Sequence, residues 1–318
     1  MTQVNPQAGQ VVLPSTLTDP GEDGPVFQHP QTNKVSRGRW FREVGWRYIV
    51  GVLAIIYALI PIIYIISASL NPNGSVSSAS ILPTAFSLEN YTALFTDPTL
   101  PFARWFLNTL IVATVVVVIS IFCSAAGAYA FSRFRFRGRR GSLFALLLVQ
   151  MFPQFLAAAA LFTIFTTVGQ VAPFIGLDTL AGYIVVLLGG ALGQVWLIKG
   201  FFDSIPRELD EAAVMDGATH TQVYFRIILP LVTPILAVTG VLSFVSVIGE
   251  FILASIFLRD TEVKTLAVGL YGLLDSDRTG NLGVFAAAAV LTALPVVLLF
   301  QYLQRYIVGG ITAGSVKG

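Results

Sequence analysis

Charge is scarce in this chain. Of 318 residues only 11% are Asp, Glu, Lys or Arg, while 55% are hydrophobic and mean hydropathy is +0.77. Soluble chains carry about 25% charged residues, so a soluble globular domain is excluded as the simplest reading. Cysteine is scarcer still. Cys123 is the sole one, so no internal disulfide exists and no metal-ligand spacing can be written. The two histidines, His29 and His220, stand far apart in sequence, and each reads as polar surface. No Gly-x-x-x-x-Gly-Lys-Ser/Thr occurs around any of the four lysines. The local phosphate cradle of the P-loop kind is therefore missing, and if ATP drives this protein another chain must bind it. No His/Asp/Ser or metal cluster suggests an enzyme, and no cofactor is expected in this chain. A net charge of +2 says nothing of nucleic acid, and no nucleic-acid partner is expected.

Long apolar runs are what the chain does have. A bilayer core of about 30 Å needs roughly 20 apolar residues per helix. Six segments qualify, near 48–70, 106–131, 142–164, 180–200, 233–258 and 282–304. The expected fold is all-α and polytopic. A polar, Pro- and Gly-rich tail, 1–47, precedes a membrane domain, 48–308, and a short tail, 309–318, follows. The first part of the leading tail has the composition of a disordered segment and lacks a signal-peptide core. Pro153 and Pro295 lie inside segments, where neighbouring helices can satisfy the freed carbonyls. Gly189, Gly190, Gly193, Gly240 and Gly249 read as close-packing positions.

Basic residues orient the spans. Lys34, Arg37, Arg39, Arg42 and Arg47 precede segment one, and Arg133, Arg135, Arg137, Arg139 and Arg140 follow segment two. Lys199, Arg207 and Arg226 flank the fourth connection, and Arg305 and Lys317 follow segment six. Fifteen of the 19 basic residues thus fall on one side. Six spans with both termini in the cytoplasm account for that split. On the other side, 87–95 is expected to form a short interfacial helix with Leu88, Tyr91, Leu94 and Phe95 on one face. The outer loop 259–281 carries charges around an apolar middle, Leu266 to Leu274, expected to pack on something, a partner being one choice.

The fourth connection, 201–232, is a polar hairpin on the cytoplasmic side. Ser204 is placed as an N-cap and Pro206 in a first turn. Ile205, Leu209, Ala212 and Ala213 fall on one stripe. Gly217 is placed to end the helix in a left-handed cap. Thr219 and Gln222 have capping-box spacing for a second helix, which Pro230 is expected to end.

Glu211-Ala212-Ala213, three residues, Gly217, nine residues, Ile227, one residue and Leu229-Pro230 match the EAA motif of ABC importer permeases. From Asp210 onward the chain is similar to the maltose-type (MalG-like) carbohydrate-uptake permeases, in Thr265 to Gly269, Phe285 to Ala289 and the closing Val308 to Gly318. Asn90-Tyr91 and Asn108-Thr109 resemble positions common in sugar permeases. The resemblance implies the type I importer (MetI-like) fold. It also implies a second, MalF-like permease subunit, two MalK-like ATPase subunits holding ATP and Mg, an extracytoplasmic sugar-binding protein and an oligosaccharide such as maltose or maltodextrin. Glu211, Ala212, Ala213, Asp216, Gly217, Ile227, Leu229 and Pro230 would then couple to the ATPase. Gly314, Val316 and Lys317 would reach it from the tail, and the loop 259–281 would face the binding protein. The location implied is the bacterial cytoplasmic membrane.

Glu250 is the acid placed well inside a span. Such carboxylates are expensive and face the bundle interior, so it is a pathway candidate or a hydrogen-bonded packing group, with Gln154 a weaker case. Asn108 has an ordinary helix-end explanation. A different mechanistic class, a secondary transporter driven by an ion gradient, would need membrane-embedded coupling groups, for which Glu250 is the single candidate.

Overall fold

The computed structural model describes residues 41–72, 86–276 and 282–315. All regular structure among them is helical. The chain forms two compact units, residues 1–57 and 58–318. In the first, a π-helical turn, Phe41–Gly45, leads into the start of helix α1, Trp46–Leu70. Most of the expected N-terminal tail lies outside the described residues.

Helix α1 is apolar all round, and nearly every side chain from Tyr48 to Ile66 is exposed. A helix of that kind needs lipid or another protein around it. Among the described residues three helices have the length and hydropathy to cross a membrane unbroken: α1, α3 (Phe102–Arg133) and α13 (Leu282–Ser315). They correspond to segments one, two and six. A fourth span is available if α9 (His220–Leu231) and α10 (Thr233–Ile248), which meet at 73°, are taken together.

Segments three, four and five are broken helices, and the sequence explains each break. Segment three divides into α4 (Arg139–Met151), a 3-10 turn (Gln154–Ala157) and α5 (Ala158–Val171). Pro153 forces Phe152 into extended backbone, φ −77° and ψ 123°, because the ring excludes the helical conformation one residue earlier. Segment four divides into α6 (Leu180–Leu188) and α7 (Val195–Ser204). Gly189, Gly190 and Gly193 occupy the turns between them, so these glycines mark a break more than a packing seam. The break leaves the Ala191 carbonyl without a helical donor, and Ser124 of α3 donates to it at 2.5 Å. Segment five divides into α10 and α11 (Ile252–Phe257), with Gly249 and Glu250 between. Gly240 does serve packing: a methyl there would lie 2.9 Å from Ile121 of α3.

Helix α2, Glu89–Thr96, is present as expected, but its packed face is different. Leu88 and Phe95 are exposed, whereas Asn90 and Leu94 are buried. The Asn90 amide donates to the carbonyls of Ser69 and Asn71 at 3.0 and 2.9 Å. Leu94 enters a core with Leu100, Phe102, Trp105, Leu266, Leu270 and two alanines of α13, Ala287 and Ala288. The helix is thus docked into the protein by an inward face of Asn90 and Leu94. The apolar middle of the outer loop meets the same core. It folds as α12, Leu266–Ser276, and packs on this chain's own α3 and α13.

Helix α3 organises the second unit. Its 32 residues extend about 48 Å at 1.5 Å per residue, well beyond the bilayer core. Its first turns join the core just described. Its last turns, Ala128 and Tyr129, join a separate core with Phe202, Val223, Ile228 and Val232.

Candidate functional site

The hairpin is built from α8 (Glu208–Met215) and α9. Its entry differs from expectation. Ser204 ends α7, with its hydroxyl donating back to the Phe201 carbonyl at 2.7 Å. Ile205 is extended, and Arg207 takes the N-cap position of α8 without a side-chain cap. In place of a cap, Glu208, Asp210 and Glu211 crowd the first turn, where negative charge suits the helix dipole. The exit is as expected. Gly217 adopts φ +86°, and Ala218 donates to the Ala213 carbonyl at 2.9 Å, closing the left-handed cap. Thr219 and Gln222 form the full capping box. Pro230 does not end α9. The helix widens to a π turn over Val223–Ile228, where Leu229 N reaches the Tyr224 carbonyl, and the 73° bend follows Leu231.

The expected stripe is divided. Ala213 faces inward at 9% exposure, while Leu209 and Ala212 face outward with Glu211, Asp216 and Gly217. Farther along the motif, Ile227 and Leu229 are half-buried and Pro230 is exposed, with the intervening Ile228 fully buried. Burying such side chains from water contributes roughly 1.5–3 kcal/mol each, so α9 is firmly seated. An aromatic cluster adds to the seat: the Tyr129 ring lies 4.8 Å from Tyr224, 5.8 Å from Phe202 and 5.6 Å from Phe134 between centroids.

Helix α8 is held differently. Arg133, the last residue of α3, places Nε 2.6 Å from Asp210 Oδ2, with the side chains only 7% and 19% exposed. Arg133 also donates to the Ile205 carbonyl at 3.1 Å. Arg207 donates to the Ser132 carbonyl at 3.1 Å, and the Ser132 hydroxyl donates to Asp203 at 2.6 Å. Asp203 in turn pairs with Lys199. These contacts satisfy a C-terminal carbonyl of α3 that has no helical donor. Burial raises the Asp210 carboxyl above its usual range, and the charges of Arg133 and Arg207 only partly pull it back. Burial also works against ionised Asp203, but hydrogen bonds from Lys199 and Ser132 outweigh it and hold that carboxyl below its usual range. The composition and spacing of the hairpin gave no sign of the Arg133–Asp210 pair, since the residues lie 77 positions apart. An arginine closing a long apolar helix is the one available hint.

A groove of about 580 Å³ opens beside this network, lined by Tyr129, Arg133 and Phe134 of the α3 end and by Asp210, Glu211, Val214 and Met215 of α8. His220 sits on its rim, exposed as expected and edge-on to Phe134 at 6.2 Å.

The other candidates lie apart from the hairpin. Glu250 caps α11: Oε1 accepts from Leu253 N at 2.8 Å, and Oε2 accepts from Ala254 N at 2.9 Å and from the Tyr183 hydroxyl at 2.5 Å. Gln154 lies in the 3-10 turn after Pro153. Gly314 falls within α13, while Val316 and Lys317 lie outside the described residues. At the far end of α3, Trp105 donates to the Thr261 carbonyl and Asn108 to those of Glu262 and Lys264, at 2.8, 3.0 and 3.0 Å. Asn108 therefore fastens the segment 261–264, more than ending a helix. Asp178, which sequence reasoning passed over, adopts φ +54° and accepts from the backbone of Arg259 and Asp260.

Residues 117–312 match a family model described as binding-protein-dependent transport system inner membrane component. The maltose/maltodextrin transport system permease protein MalG of Vibrio vulnificus (strain YJ016) is 40% identical over 294 residues, covering 89% of this chain and 99% of its own length. The protein of that name from Escherichia coli (strain K12) is 40% identical over 278 residues, covering 84% and 93%. A chain of a bacterial ABC transporter involved in import of the acidic polysaccharide alginate has a TM-score of 0.67 at 27% identity, over 85% of this chain and 98% of that one. A second alginate transporter structure, at 19% identity and a TM-score of 0.61, shares the fold. With the motif hairpin at the end of a helical membrane bundle and these matches along most of its length, the chain belongs to the family of binding-protein-dependent transport system inner membrane components.

Proposed function

We propose that this chain is a permease subunit of an ATP-driven importer for maltose, maltodextrin or a related oligosaccharide, and that its hairpin is where ATPase motion enters the membrane. The observation that carries this reading is the division of the motif. Ala213 and the neighbouring Ile228 anchor the hairpin, while Glu211, Ala212, Asp216 and Gly217 are presented outward. A surface so exposed on a hairpin that is seated through α9 suits a partner that pushes. The maltose-type cargo is supported by the identity to the two MalG proteins above.

In this reading the chain makes six spans with both termini cytoplasmic, three of the spans being the broken pairs. ATP and Mg are held by two MalK-like subunits, and a MalF-like permease completes the pathway. An extracytoplasmic binding protein delivers sugar to the side that carries residues 259–265. Gly314, Val316 and Lys317 extend the ATPase contact. Glu250 and Gln154 lie at helix breaks, where polar groups can face a pathway, and they remain the candidates for one.

The test is reconstitution with the partner subunits and binding protein in vesicles. Labelled maltodextrin should accumulate only with ATP. Accumulation driven by a proton or sodium gradient without ATP would overturn the reading.

A further inference from the structure

Helix α8 carries the motif, yet it has little apolar hold on the protein. Of its eight residues Ala213 alone is buried, and an alanine offers one methyl group. Helix α9, by contrast, buries Val223, Tyr224 and Ile228. The attachment of α8 must come from polar contacts, and these converge on one place, the C-terminal turn of α3. Arg133 holds Asp210 and the Ile205 carbonyl, and Arg207 reaches back to the Ser132 carbonyl. The same turn grips α7 through Ser132 and Asp203.

We infer that the Arg133–Asp210 ion pair is the positioning link that makes α8 and α3 move as one body, so that force applied to the motif is delivered to α3. This deepens the proposed function and rests on it. The geometry fits a link better than a simple prop. The pair joins two elements that share few apolar contacts, and its arginine is the terminal residue of a helix long enough to cross the bilayer. Low exposure shields it from water and salt, which weaken exposed pairs. Arg133 Nε and Asp210 Oδ1 are both buried without a hydrogen-bond partner among the described residues, so it is the close approach of opposite charges that keeps the carboxylate in place. Losing one partner of a buried pair strands the other.

The experiment uses the full chain assembled with its ATPase and permease partners, with Cys123→Ser as background. Spin labels go on Glu208→Cys of α8 and Phe122→Cys of α3, both exposed positions. With Asp210 intact, the distance between labels should stay constant through the ATP cycle. With Asp210→Asn it should change on ATP binding, and sugar taken up per ATP hydrolysed should fall by roughly tenfold, in the range of contact couplings, while ATPase co-purification is retained. Asp210→Glu should restore both. A distance that stays constant in Asp210→Asn, or equal losses of uptake and ATP hydrolysis with lowered thermal stability, would overturn the link and leave a structural prop. Failure of the unmutated chain to co-purify with any ATPase would instead remove the proposed function.

Discussion

Gly269 of α12 lies against the indole of Trp105 so closely that a methyl group there would overlap the ring. That contact fixes where α12 rests against α3. Trp105 cannot retreat easily, because its ring nitrogen donates to Thr261 at 2.8 Å and its neighbours Phe102, Leu266 and Leu270 are buried. Gly269→Ala should therefore destabilise the protein by about 1–3 kcal/mol, the usual range for overpacking. A lowered melting temperature of the detergent-solubilised protein checks it. An unchanged value would mean that α12 shifts without cost.

Asn108 holds the segment before α12 by two hydrogen bonds to backbone carbonyls, those of Glu262 and Lys264. Asn108→Ala leaves both carbonyls without that donor, at about 1–3 kcal/mol if water does not replace it. Hydrogen exchange should rise across 259–266 and stay low in α3. If the outer loop meets the binding protein, uptake should fall while assembly with the ATPase stays normal.

Gly217 is a separate case, since nothing lies within 4 Å of a Cβ added there. Its constraint is the backbone, at φ +86°. Gly217→Val should cost about 1–2 kcal/mol in left-handed strain and turn Ala218 out of its bond to Ala213. The expected result is weaker co-purification of the ATPase with the rest of the chain folded. Glu211→Lys should weaken the same contact through charge alone. Normal co-purification and uptake in both variants would remove the coupling role from the motif.

Local rules captured the parts of this protein that depend on near neighbours. The Gly217 cap and the Thr219–Gln222 capping box were legible because each is a contact across a few residues. The unbroken helices α1, α3 and α13 were legible in the apolar runs because length and hydropathy are local too. What eluded the sequence was which face of a short helix turns inward. Leu94 and Leu88 look alike in sequence, and only the distant partners of Asn90, at Ser69 and Asn71, decide that Leu94 is the buried one. The breaks in segments three to five were half visible. In the sequence Pro153 is tolerable within a continuous span and the glycines look like packing positions, whereas Ser124 and Glu250 supply the hydrogen bonds that let the helix stop. The Arg133–Asp210 contact depends on tertiary packing, and its one local hint is the arginine that closes a long apolar helix.

Asp203 makes the α3–α7 contact pH-dependent. Its carboxyl is held below the ordinary value of 3.8, so the contact contributes stability above that pH and loses it as pH falls through the lower, folded value. Asp210 has the opposite sign, because its folded value is raised and acid costs it less in the folded state than in the unfolded one. Acid unfolding followed by tryptophan fluorescence, with Asp203→Asn beside the native chain, should show a shallower loss of stability below pH 4 in the variant. Parallel curves would mean that exposure of Asp203 screens its contacts away.

Glu250 offers the sharpest separation between architecture and transport. Its three donors are Leu253 N, Ala254 N and the Tyr183 hydroxyl, so the site demands an acceptor at both oxygens. Glu250→Gln keeps the shape but replaces one oxygen with an amide that can only donate. At least one of the three donors then faces another donor, a loss of about 1–3 kcal/mol. The displaced donor is a backbone N–H in either orientation, since the Tyr183 hydroxyl can turn to accept from the amide; Tyr183→Phe, which leaves both backbone donors satisfied, is the comparison variant. If Glu250 acts only as the cap of α11, both single variants should lower thermal stability and leave the KM for sugar unchanged. If it also faces the pathway, Glu250→Gln should raise that KM by more than its stability loss explains, and Tyr183→Phe should not. A cap and a pathway group would thus differ in KM even where their melting curves coincide.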